Sequence, residues 1–231
     1  MSRAKQQTEY QFKINVYNSI SSLDKGLYND IVDPENPFLE YEFLEALEKS
    51  DCVGPHTTWN PRYIVLTDND KIIGAITSYI KLDSYGEYIF DWEWARAFES
   101  SGLSYYPKLV VAIPFTPATG TRILVHSDYS FQECAQTMVK RLIQLSLEEK
   151  CSSVHFLYLT ENEHIFLEKY GFLSRKTHQY HWKNRNYNSF DDFLCDMRSG
   201  RKKQIRKERK SLVEAGLHIQ TFEKDEIKEE H

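Results

Sequence analysis

Between Ser84 and Phe115 the chain sets carboxylates, an ammonium, phenols and indoles side by side. Nine of these 32 residues are aromatic, about double the 14% of the whole chain. A core gains from aromatic bulk, but each Tyr hydroxyl or Trp N–H buried without a partner costs free energy. Aromatic walls carrying a few fixed polar groups are instead what small-molecule pockets are made of. Glu87 and Asp91 stand four residues apart, a spacing that a helix or a strand sends the same way. A carboxylate whose pKa is raised by apolar surroundings can take a proton from an attacking amine. Tyr105-Tyr106-Pro107-Lys108 adds phenols that can donate a proton and an ammonium that can hold a leaving group or a substrate carboxylate. Glu87, Asp91, Tyr106 and Lys108 are therefore the candidate catalytic residues. Ser84, Tyr85, Trp92 and Tyr105 are the candidate pocket, joined by His181, which can titrate near neutrality, and Trp182. The plainer alternative is a Tyr-rich sheet with its hydroxyls and carboxylates in water.

A second constellation is electrostatic. The net charge of −5 conceals a run from Arg198 to Lys210 with a local charge of +7, which leaves −12 on the rest of the chain. Its cations are Arg198, Arg201, Lys202, Lys203, Arg206, Lys207, Arg209 and Lys210. On a helix, Arg198, Lys202, Arg206 and Arg209 fall on one side, a stripe that suits a polyanion or simply a solvated face. No aromatic residue interleaves it, which argues against stacking on single strands.

Positioning these groups requires a substantial fold. With 231 residues, 41% hydrophobic, the chain can bury one large core or two small ones. The polar N-terminus reads as no signal peptide, and no run is apolar enough to span a membrane. The four cysteines are scattered without a CxxC pair, so neither a zinc site nor a disulfide framework is indicated, and a cytoplasmic setting fits. Periodicity predicts strands at 10–17, 62–67, 72–80, 88–90, 108–113, 122–125, 153–159, 172–182 and 217–222. It predicts helices at 38–49, 92–100, 131–149, 162–170, 189–197 and 199–214. Asp68-Asn69-Asp70 makes the second and third strands a hairpin. The all-apolar run ending at Ile113 suggests a central strand buried on both faces. The fold class is α/β, a mixed and mostly antiparallel sheet flanked by helices.

That element order resembles the GNAT acyltransferases, and Leu167-Glu168-Lys169-Tyr170-Gly171-Phe172 is similar to the way many of them end their last helix. The sharper resemblance is to the FemAB-like peptidoglycan biosynthesis/recognition family of that superfamily. It rests on Asn36-Pro37-Phe38-Leu39, Tyr85-Gly86-Glu87-Tyr88, Phe90-Asp91, Tyr105-Tyr106-Pro107-Lys108, Pro114-Phe115-Thr116-Pro117, Gly120-Thr121-Arg122, Gln179-Tyr180-His181-Trp182 and the basic run. Together these cover roughly Pro34 to Gly216.

The resemblance implies an N-acyltransferase that passes an acyl or aminoacyl group to an amine, from acyl-CoA or aminoacyl-tRNA. A non-catalytic recognition module for peptidoglycan or peptide is the other reading. It puts the donor's phosphates at Pro114 to Arg122, with Thr116, Thr119, Gly120, Thr121 and Arg122 as candidate cofactor-binding residues. The loop departs from the usual GNAT pattern, having two prolines, one glycine and a strand before the next helix, and proline removes N–H donors. The resemblance also implies a tRNA partner for the basic run. Residues 1–185 are expected to form a GNAT-like domain. Residues 186–231 are expected to be a basic helix opening a second GNAT-like half that is missing or truncated.

Overall fold

The structure, a computed structural model, describes residues 12–223 and 226–228. They fall into two compact units, one ending at Thr177 and the other beginning at His178.

In the first unit a mixed sheet runs β1 (Phe12–Tyr17), β2 (Trp59–Asp68), β3 (Lys71–Lys81), β4 (Lys108–Val111) and β6 (Val154–Phe156), with β5 (Ile123–Val125) also on β3. All pairings are antiparallel except β4 with β6. This is the expected mostly antiparallel α/β sheet. β2 and β3 form the predicted hairpin, and Asn69 takes the left-handed backbone its turn requires (φ 53°). Since β2 occupies one edge of β3, β4 and β5 share the other, pairing with Ser78–Lys81 and Gly74–Ile76 respectively. They lie end to end, and residues 112–122 leave and rejoin the sheet between them.

The helices cover both faces. On one, α4 (Phe131–Glu148) and α5 (Glu161–Lys169) press Met138, Leu142 and Phe166 onto Ile64, Ile76, Leu109 and Ile123. On the other, α1 (Lys25–Asn29) and α2 (Tyr41–Lys49) close over Tyr63, Val65, Ala75 and Leu124. A third cluster, Trp59, Tyr79, Val110, Ala112 and Leu157, floors the end of the sheet where the candidate catalytic residues gather. α3 (Trp92–Ser100) matches its predicted span.

Several expectations need correcting. The helix expected over 38–49 is broken, because Glu40 is extended (φ −61°, ψ 146°) between a 3₁₀ turn, Pro37–Leu39, and α2. Residues 88–90 are no strand edge, since Gly86 (φ 78°) and Tyr88 (φ 59°) both adopt left-handed backbone that a strand excludes. Residues 172–182 and 217–222 are irregular. Phe172 packs partly buried against the core, but Leu173, Tyr180 and Ile219 are almost fully exposed, and no described strand offers them a ladder. Tyr10, within the first predicted strand, lies outside the described residues.

The second unit contains α6 (Phe190–Cys195), N-capped by Ser189, and α7 (Ser199–Glu214), which matches its predicted span and buries none of its residues.

Candidate functional site

The end of β3 and the start of β4 place two lysines directly opposite each other, Lys81 and Lys108, and both are fully buried. Like charges facing across a ladder repel, so the pair survives only because the chain folds carboxylates over it. The turn after β3 does this. Gly86 lets it pass where a side chain could not, since a Cβ there would come within 2.8 Å of the Phe115 ring and 3.1 Å of Trp59 Nε1. Tyr158 Oη fixes the same turn by donating to the Glu87 carbonyl at 3.2 Å.

Lys108 Nζ then donates to Glu87 Oε2 at 2.8 Å, Asp91 Oδ2 at 2.5 Å and Ser84 Oγ at 3.1 Å. Ser84 Oγ is 2.9 Å from the Tyr106 hydroxyl. Arg175 Nη1 closes on Asp91 Oδ1 from the half-exposed side. Lys81 Nζ is held by Asp83 Oδ1 at 3.2 Å and the Tyr85 carbonyl at 3.0 Å, 3.9 Å above the Trp59 ring. Three cations thus meet three carboxylates at one end of the sheet.

The two carboxylates on Lys108 are not equivalent. Burial pushes the Glu87 carboxyl up, and Lys108 only partly offsets this. Burial also opposes charge on Asp91, but Lys108 and Arg175 together outweigh it and hold Asp91 below the usual range. Glu87, 2% exposed, also keeps Oε1 without a hydrogen-bond partner among the described residues. Nearby, burial and the Lys108 charge depress His155 to about 4, leaving it neutral with Nε2 2.7 Å from Ser153 Oγ. Burial and Asp91 raise the Tyr105 phenol. A carboxylate ready to accept, an ammonium beside it and a phenol one serine away form a set that can move a proton off a nucleophile.

Ser84, Glu87, Asp91, Tyr105, Tyr106 and Lys108 therefore do come together, by a turn and a helix N-cap rather than by one helix or strand. Trp59, His155 and Arg175 were not singled out by sequence, and Lys81 and Asp83, which border the same stretch, were given no role. The aromatic side chains do not converge on one concavity as expected. Tyr85 and Trp92 face outward with Phe90, Trp92 meeting Tyr85 edge-on at 5.1 Å and stacking on Phe90 at 5.4 Å. His181 and Trp182 lie in the second unit, exposed and outside any strand, with Trp182 against Tyr187 and Phe193.

The loop 112–122 departs most from expectation. Arg122, predicted to pair with phosphate, is 2% exposed. It donates from Nε to the Leu157 carbonyl at 3.0 Å, from Nη1 to the Thr121 carbonyl at 3.1 Å and from Nη2 to the Ala118 carbonyl at 2.5 Å. It staples the loop from within. Thr116 Oγ1 turns back to the Pro114 carbonyl at 3.1 Å. Glu163 takes the N–H groups of Arg122 and Ile123 on one oxygen and caps α5 through Thr160 with the other. Thr119, Gly120 and Thr121 line a cavity of about 280 Å3 with Asn36, Asp33 and Glu35. With its cation turned inward and two carboxylates at the opening, this loop does not fit the diphosphate of coenzyme A. A second cavity, about 430 Å3, opens where α4 and α5 begin and includes Gln132, Asn162 and Lys169.

The described residues hold no group of His, Cys, Asp or Glu able to bind a metal, and no described helix is long and apolar enough to cross a membrane.

The chain belongs to the FemAB-like family, peptidoglycan biosynthesis/recognition, whose profile matches residues 19–231. No curated protein sequence matches it. Solved structures similar in part include N-acetyltransferases. Aminoglycoside 6'-N-acetyltransferase AAC(6')-Iy with a CoA bisubstrate analog is 12% identical, covering 75% of this chain and 99% of that one, at TM-score 0.47. AAC(6')-Ih from Acinetobacter baumannii is 16% identical over 75% and 98%, at 0.44. The ribosomal-protein-alanine N-acetyltransferase from Brucella melitensis biovar Abortus 2308 is 11% identical over 75% and 98%, at 0.43.

Proposed function

We propose that this FemAB-like chain transfers an acyl or aminoacyl group from an activated ester to an amine, with Glu87 as the general base. The observation that carries the reading is the asymmetry on Lys108. Asp91 is locked between two cations, whereas Glu87 has a raised pKa and a free Oε1. The acceptor nitrogen attacks the acyl carbon, a C–N bond forms and the bond to the leaving ester oxygen breaks. Glu87 Oε1 takes the amine proton, and Tyr106 supplies one to the leaving group. The chain Glu87–Lys108–Ser84–Tyr106, with links of 2.8, 3.1 and 2.9 Å, restores both. Because Glu87 is buried, the turn 83–91 must part to admit the acceptor.

Ser84, Tyr85, Trp92 and Tyr105 then frame the acceptor's approach, with Tyr85 and Trp92 as its exposed aromatic side. No step runs through coenzyme A, whose diphosphate the 112–122 loop does not suit. A donor carried on a polyanion would find exposed cations on α7 at Arg201, Lys203, Lys207 and Lys210. Such docking weakens steeply with salt.

The test is single-turnover transfer from acyl-CoA and from aminoacyl-tRNA to small amines, read by mass spectrometry. Glu87→Gln should slow transfer by roughly 10²–10⁴-fold, the usual worth of a positioned base. A folded Glu87→Gln protein within a few fold of wild type removes Glu87 from the chemistry. A wild-type chain that transfers from neither donor removes the transferase reading itself.

A further inference from the structure

Lys81 ends its strand inside the protein, directly opposite Lys108 and, like it, fully buried. Two ammonium groups on facing rungs repel each other. Burial also disfavours the charge on Lys81, and Asp83 and Glu87 only partly offset this. An apolar side chain of similar length would serve the sheet at least as well. The cation does something else, which is to hold the turn that carries Glu87. Its Nζ donates to the Tyr85 carbonyl at 3.0 Å, Asp83 Oδ1 at 3.2 Å and Thr58 Oγ1 at 3.4 Å. Asp83 Oδ1 also takes the Tyr85 N–H at 3.1 Å.

The next two carbonyls are held from elsewhere, that of Gly86 by the Phe115 N–H at 3.2 Å and that of Glu87 by the Tyr158 hydroxyl at 3.2 Å. Three successive carbonyls are thus pinned by three separate parts of the chain. Of these donors only Lys81 is charged, and its charge favours the ionised Glu87 that can accept a proton. We propose that Lys81 is a positioning residue for acyl transfer. It anchors the β3 side of the turn, so that the turn parts for the acceptor and still brings the Glu87 carboxylate to one place. It touches neither the acceptor nor the reacting atoms. The inference rests on the reading of Glu87 as the base. Glu87 also faces Lys108 from β4, Asp91 at the N-cap of α3 and the phenols of Tyr105 and Tyr158, all of which are kept in the variants that test it.

Lys81→Met keeps the length of the side chain and removes its charge and donors, whereas Lys81→Arg keeps the charge. The free protein is measured first, by following the NMR resonance of the Glu87 carboxyl carbon, assigned with Glu87→Gln. Glu87 should titrate at higher pH in Lys81→Met than in wild type, and close to wild type in Lys81→Arg. In single-turnover transfer, Lys81→Met should slow the rate at saturating acceptor by about tenfold or more while the half-saturating acceptor concentration stays within about twofold, because a base out of place costs rate rather than binding. The acid limb of the pH profile should move upward with the Glu87 midpoint. Melting temperatures verify the fold of each variant, and Lys81→Gln makes the same comparison if Lys81→Met does not fold. An unmoved Glu87 midpoint in the neutral variant, the same displacement in Lys81→Arg, or an unchanged rate at saturating acceptor would each overturn the proposal. A wild-type chain that transfers from neither donor removes the transferase reading instead, and the titration, which needs no substrate, still decides whether Lys81 sets Glu87.

Discussion

Replacing His155 with Gln should flatten the acid limb of the protein's stability curve. His155 is depressed from an ordinary 6.5 to about 4, first by burial and then by the charges of Lys108 and Arg175, with Asp91 compensating only in part. The unfolded chain therefore takes up this proton before the folded one does. The stability it confers is complete above 6.5 and drains away as the pH falls from 6.5 towards 4. Linkage over that interval gives about 2.5 kcal/mol lost between about pH 7.5 and about pH 4.5. Glu87 acts in the opposite direction. Its folded pKa lies above the unfolded value, so its protonation favours the folded state as the pH drops. Wild type and His155→Gln must therefore be compared at each pH, where the Glu87 contribution cancels. Urea unfolding reads the difference as a midpoint displacement of about 1 M at the acid end. Equal losses for both proteins, or a histidine resonance titrating near its ordinary value, would refute the burial argument.

Other outcomes follow from the same cluster. Asp91→Asn should cost about 1–3 kcal/mol, because it takes one of the two carboxylates off the buried Lys108 ammonium and leaves Arg175 without its partner. Glu87→Gln should cost clearly less, since Glu87 bears an unfavourable burial of its charge; equal denaturation midpoints would contradict the asymmetry. Gly86→Ala should lower stability by about 1–3 kcal/mol, read as a melting shift, through its left-handed backbone and the contact with Phe115. Arg122→Met should speed amide exchange across 118–122 while leaving β5 protected, as the staple to Ala118, Thr121 and Leu157 is lost.

Local pattern carried the elements whose burial is local. The β2–β3 hairpin, α3 and α7 follow from alternation, turn chemistry and helical spacing within a few residues. Strands at 172–182 and 217–222 were misread because alternation describes a surface, and a strand also needs a neighbour to pair with. Glu87, Asp91 and Lys108 were legible as a group because they crowd one stretch. Arg175 was not, since nothing near it in the chain points to Asp91. Lys81 closes an apolar strand and so reads as the strand leaving the core. The acid two residues later, Asp83, was the clue that it stays inside. Ring count, finally, says nothing about direction. Trp59, outside the aromatic segment, is buried, while Tyr85 and Trp92 within it face solvent.

Because β4 and β5 abut along a single edge of β3, the excursion between them is a detour off a continuous track. Its length can change without shifting any rung of the sheet or moving Lys108 from its place opposite Lys81. Its near end is less free, because Phe115 packs on Trp59 and donates to the Gly86 carbonyl, which ties the detour to the turn that carries Glu87.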